Sequence, residues 1–98
     1  MARSRIAFHP DAVAEARAAR LWYQERSRQA AEGFLAELSR ALEFITRHPT
    51  GTQESGRGDR RFVLRTYPFL IACRVQGDQI QIIAAAHSHR RPDYWKER

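Results

Sequence analysis

Apolar residues recur along this 98-residue chain with two periods, and the order in which those periods alternate predicts the fold. Near the N-terminus Ile6 and Phe8 alternate with Arg5 and Ala7, which predicts a short strand from Arg3 to Phe8. His9-Pro10-Asp11 stops it and starts a helix, because proline's missing N–H would be unpaired in a first helical turn anyway. Asp11 complements the positive end of the helix dipole. From Asp11 to about Glu25 good helix formers dominate, with Ala12, Ala16, Ala19 and Tyr23 at helical spacing and Val13 beside them. Ser27 interrupts and can cap a second helix from about Arg28 to Arg47. Its stripe, Ala30, Phe34, Leu38, Ala41, Leu42 and Ile45 with Leu35 flanking, is the strongest periodic signal in the chain. Glu37, Arg40, Glu43 and Arg47 are expected to face away from it. An antiparallel helical hairpin follows.

Beyond His48-Pro49-Thr50-Gly51 the period changes. A polar loop reaches to Asp59, carries Gly51, Gly56 and Gly58, and is tipped by Arg57. Three strand-like runs come next. Arg61 to Arg65 alternates, with Phe62 and Leu64 on one face and Arg61, Val63 and Arg65 on the other. Tyr67-Pro68 forms a tight connection, and Phe69 to Val75 is nearly all apolar, as a central strand should be. Gln76-Gly77-Asp78 reads as a hairpin turn, and Ile80 to Ala86 closes the hairpin with Ile80, Ile82 and Ala84 on one face. The predicted order is β-α-α-β-β-β: an α+β domain over residues 1–98, with the helical hairpin laid on a small, mainly antiparallel sheet.

Charge adds a statement about partners. Seventeen basic residues against eleven acidic ones give a net +6, and every basic residue except Lys96 is arginine. Such a surface attracts nucleic acid or an acidic protein, and arginine forks carboxylates and phosphates. Codon bias would account equally well for the choice of arginine over lysine, but not for the net charge. The 43% apolar content excludes a disordered chain. Cys73 is the single cysteine, so no intramolecular disulfide forms, and a reducing cytoplasm fits. Within its apolar run it reads as a buried small hydrophobe. No apolar stretch follows the basic N-terminus and no run spans a bilayer, so neither a signal peptide nor a membrane partner is expected.

Candidate chemistry gathers at the C-terminus. His87-Ser88-His89 has a spacing that could hold a metal, but no cysteine or carboxylate nearby completes a set, so no metal or cofactor is expected. Arg90-Arg91 would ordinarily be a solvated pair. Pro92, Tyr94 and Trp95 change that, because the two aromatics are expected to fold back on the body and hold the arginines in place. Arg60, Arg61 and Arg65 either protect an edge strand by charge or line a binding groove. Trp22 and Tyr23 are expected to pack within the helical hairpin.

The element order, the second-helix pattern Phe34-x-x-Glu37-Leu38-x-x-Ala41-Leu42-x-x-Ile45 and the run Arg60-Arg61-Phe62 with Tyr67-Pro68-Phe69-x-Ile71 resemble the RelE/ParE toxin superfamily. The closing Ile80-x-Ile82-x-Ala84-x-Ala86-His87-x-x-Arg90-Arg91-Pro92-x-Tyr94-Trp95 looks like that of ParE-type toxins. The resemblance implies a type II toxin, in a role such as plasmid stabilisation, neutralised by a cognate antitoxin whose acidic segment wraps it in a hetero-oligomer. ParE-like members inhibit DNA gyrase without cutting anything themselves. RelE-like members cut mRNA on the ribosome, and in that case His87, Arg91, Tyr94 and Arg65 would be the catalytic candidates. Where RelE carries a phosphate-gripping arginine, this chain has Leu70, which weighs against the nuclease. Arg57, Arg60, Arg61, Arg65, Arg90, Arg91, Tyr94 and Trp95 are the candidate antitoxin- or target-binding residues. A non-toxic basic binding protein is the remaining alternative.

Overall fold

One residue joins the two helices. In the computed structural model, which describes residues 5–54 and 58–98, α1 spans Pro10–Arg26 and α2 spans Arg28–Arg47. Ser27 serves both: its N–H donates to the Tyr23 carbonyl at 2.7 Å, closing α1, and its hydroxyl accepts the Ala30 N–H at 3.1 Å, capping α2. The helices must therefore turn back sharply. His9 caps α1, its Nδ1 accepting the Asp11 N–H at 3.0 Å. Ala12 and Ala19 of α1 are buried in the core between the helices and the sheet.

Five strands form one sheet in the order β1-β5-β4-β3-β2: β1 Arg5–Phe8, β2 Gln53–Glu54, β3 Asp59–Val63, β4 Phe69–Gln76 and β5 Gln79–His87. Strand β1 is parallel to β5 and every other pairing is antiparallel. The β4–β5 turn is Gly77-Asp78, where Gly77 has φ +62°, a conformation that glycine takes without a Cβ penalty. The expected α+β sandwich is observed, with the two-residue β2 as an addition. Arg3, Ser4 and Arg57 lie outside the described residues.

Phe34, Ala41 and Ile45 of α2 pack with Phe69, Ile71, Cys73, Ile80 and Ile82 in the main core between helices and sheet. Tyr23, Phe34, Tyr67 and Phe69 meet ring to ring within it, with centroids 5.0–6.4 Å apart. The Tyr67 hydroxyl donates to the Ala30 carbonyl at 2.7 Å and lies over Gly33, where a Cβ would run into it. Gly33→Ala should therefore break that bond and lower stability by about 1–3 kcal/mol in urea unfolding. An unchanged midpoint would show that the ring yields freely.

Three expectations need correction. Glu37 does not face away; it is 8% exposed and accepts the backbone N–H groups of Arg65 and Thr66, the latter at 3.0 Å. The chain leaves the sheet at Leu64, and Glu37 takes up the two amides that follow it. Hence the third strand is Asp59–Val63 rather than Arg61–Arg65, and Arg65 lies in the turn, not on the face of Arg61. Finally, the register shifts between Ala72 and Cys73, whose partners are Ala84 and Ile82, leaving Ile83 as an extra residue. The bulge reverses the alternation, so Ala84 lies opposite Ile80 and Ile82. It joins Ala72, Ile83, Ala86 and Trp95 in a second, smaller core on the outer face of the sheet.

Burial raises the Glu37 carboxyl pKa, but the hydrogen bonds from Thr66 and Arg65 outweigh it, and the group sits below the ordinary value. A depressed folded-state pKa adds stability above about pH 4.3, the unfolded value, and that stability is lost as pH falls through the folded one. Glu37→Gln should thus cost about 1–3 kcal/mol at neutral pH and flatten the acid limb of the stability profile. An acid limb as steep as that of the wild type would refute this role.

Candidate partner-binding groove

Strand β1 is too short to cover the whole edge of β5. It ends at Phe8 opposite Ile82, so the stretch of β5 beyond is unpaired on that side. Helix α1 takes over there. Glu15 accepts the Ala85 N–H at 3.1 Å, standing in for the missing strand. Between α1 and this open edge runs a groove of about 550 Å³, floored by Ala19, Tyr23, Phe69 and Ala85 and walled by Trp22 on one side and His87, Arg90 and Tyr94 on the other. Ala18 and Ala19 keep the helix wall low.

The rim is aromatic and cationic. Trp22 is 52% exposed, so only Tyr23 of the expected hairpin pair is inside. The Arg26 guanidinium stacks 3.7 Å over the Trp22 ring and donates to the Trp22 carbonyl at 2.8 Å. Opposite, Arg90 lies 4.0 Å over the Tyr94 ring and stays exposed. Arg90 thus borders the apolar floor on one side, and Arg26 backs the Trp22 ring on the other.

Glu15 is the hub of the far wall. Besides the Ala85 amide, its carboxylate accepts the Tyr94 hydroxyl at 2.5 Å and a two-pronged Arg98 guanidinium at 2.9 and 3.0 Å, with Arg90 at 3.7 Å. Burial alone would raise its pKa; the bonds from Arg98, Tyr94 and Ala85 outweigh that and lower it. Tyr94 is pushed up to about 12 by burial and by its bond to Glu15, so its proton stays in place at neutral pH.

The expected site residues are divided among several places. His87, Arg90 and Tyr94 meet at the groove. Trp95 is buried on the outer face of the sheet, as the fold-back requires, with Arg61 5.5 Å over its ring and bonded to Asp93 at 2.5 Å. Arg60 donates to the Thr50 and Thr52 carbonyls beside β2, away from the groove. Arg65 and Arg91 are exposed. Among the described residues no hydrogen bond or ring contact joins His87, Arg65, Arg91 and Tyr94 to one another, and the position expected to weigh against a nuclease, Leu70, packs beneath the tail. Cys73 is fully buried, and burial pushes its thiol up to about 11, so it is unreactive. Among the described residues no group of His, Cys, Asp or Glu could hold a metal, and no helix is long and apolar enough to cross a membrane.

Sequence reasoning missed Glu15, Arg74 and Arg98. Arg74 anchors the tail, bonding Asp59 at 2.9 Å and the Arg98 and Lys96 carbonyls at 2.5 and 2.9 Å. One signal was available for Glu15: it sits between Ala12 and Ala19 on the small-residue stripe of α1, where an unpaired charge would be costly.

A search of curated proteins finds no match to this sequence. Among solved structures, a chain of the "Chromosomal ParDE TA system from P. aeruginosa" superposes with a TM-score of 0.74 at 18% identity, covering 86% of this chain and 95% of that one. Its fold is the one described above. Residues 6–92, from β1 to the start of the tail, match the family described as "ParE toxin of type II toxin-antitoxin system, parDE". On that match the chain belongs to the ParE toxin family of type II toxin–antitoxin systems.

Proposed function

We propose that this chain is the toxin of such a pair in the cytoplasm, that it arrests growth by binding DNA gyrase rather than by cutting a substrate, and that an antitoxin neutralises it by laying an acidic, apolar-faced segment in the groove. The observation that carries this reading is the groove itself. Its floor is apolar, its rim holds Arg90, and Arg26 stacks on the Trp22 that walls it, so it complements a segment with leucine-like anchors and carboxylates. A net charge of +6 steers such a partner from a distance. Binding rather than cleavage is supported by Tyr94, whose hydroxyl is committed to Glu15, and by Leu70 and the alanines on the outer face of the sheet.

A supercoiling assay with purified gyrase tests the target. The chain should inhibit supercoiling and accumulate cleaved DNA. Unchanged supercoiling at saturating chain, with mRNA cut on ribosomes instead, would replace gyrase by the ribosome.

A further inference from the structure

The last eleven residues form a strap rather than a trailing end. From Ser88 the chain crosses the outer face of the sheet and brings Trp95 over Ile83, Ala84 and Ala86. The strap is tied at three places: Asp93 to Arg61, the Lys96 and Arg98 carbonyls to Arg74, and Arg98 with Tyr94 to Glu15. The first two ties lie on the outer face. Only the third reaches across to α1, and it is the one beside the groove. Residues 93–98 lie beyond the stretch that matches the family model.

Glu15 makes most of that third tie; Asp11, also on α1, adds an exposed contact to Arg98 at 3.6 Å. One carboxylate receives an amide of the β5 edge, the Tyr94 hydroxyl and the Arg98 guanidinium, and lies near Arg90. Arg98 also donates to the Ile83 carbonyl at 3.1 Å, so the same knot clamps the bulge of β5. Other features oppose the closed arrangement. Asp93 has φ +62°, in the left-handed region that disfavours a side chain. Among the described residues, Trp95 Nε1 and Arg61 Nε are buried without a hydrogen-bond partner. A strap with such costs needs a dedicated holder.

We propose that Glu15 is the positioning residue of the groove: by latching Tyr94 and Arg98 to α1 it fixes the strap, and so sets the wall that Arg90 and Tyr94 present to a partner. This rests on the reading of the groove as a partner site. Glu15 lines the groove on the α1 side, with its carboxylate turned to the strap, and it acts on the far wall through Tyr94 and Arg90. Without it, the β5 amide and the strap lose their common anchor, and the far wall loosens while the outer-face ties remain.

Glu15→Gln and the milder Tyr94→Phe test the latch on the whole chain by amide hydrogen exchange, with slow exchange in the α2 core confirming that each variant is folded. The probe for the groove is a synthetic helical peptide of leucine and glutamate with its leucines on one face, titrated by the fluorescence of exposed Trp22. Glu15→Gln should speed exchange at Ala85 and through 88–98 at least tenfold and weaken the peptide at least tenfold, with Tyr94→Phe intermediate on both. Glu15→Asp should recover part of each loss. Exchange of the strap at the wild-type rate in a folded Glu15→Gln variant overturns the latch. Fast exchange with undiminished peptide affinity overturns the positioning role. A peptide that fails on the wild type sinks the groove reading alone, because the exchange measurement still decides the latch.

Discussion

Trp95→Ala is expected to lower folding stability by about 3–5 kcal/mol, the range for deleting a fully buried large aromatic. The side chain is 2% exposed and is the largest member of the outer core, where its neighbours Ala72, Ala84 and Ala86 are too small to close over the space it leaves. A domain of this length has about 5–15 kcal/mol in total, so the variant should unfold at far lower urea with an unchanged m-value. Trp95→Phe should recover most of the loss, because it keeps a ring in place and removes the Nε1–H that has no partner among the described residues. A loss below about 1 kcal/mol for the alanine variant would mean that the strap is not part of the folded body.

The second large effect is on binding and leaves stability alone. Trp22 is half exposed at the lip of the groove, so Trp22→Glu should shift unfolding by no more than about 0.5 kcal/mol. It removes an aromatic anchor and puts a carboxylate where an acidic segment would lie. Interface anchors of this type carry about 2–4 kcal/mol, which is about 30- to 1,000-fold in affinity. In cells supplied with the antitoxin, the variant should escape neutralisation and arrest growth. Full rescue by the antitoxin would place its segment elsewhere.

How far the sequence reaches depends on the range of each interaction. The helical hairpin is legible because its determinants are local: the stripe Phe34, Ala41 and Ile45 repeats within a few residues, and Ser27 caps both helices on its own. The strand pair β4–β5 is legible because two apolar runs flank one glycine turn. Glu37 is not legible, since its spacing assigns it to the wet face of α2 and only the turn at Arg65-Thr66, far along the chain, calls it inside. The face of Ala84 fails for another reason: strict alternation cannot foresee the bulge at Ile83 that inverts it. At the candidate site, the fold-back of Tyr94 and Trp95 follows from two aromatics in a basic tail. The acceptor that holds the strap does not, because Glu15 and Arg98 are near opposite ends of the chain and no local pattern links them.

Pulse labelling of DNA, RNA and protein after this chain is induced without its antitoxin shows which synthesis stops first, and so which target it binds. Gyrase inhibition predicts that DNA synthesis halts before translation falls, with damage responses rising and mRNA intact. Translation collapsing first, with cleaved mRNA, would contradict it and return His87, Arg91, Tyr94 and Arg65 to consideration as catalytic groups.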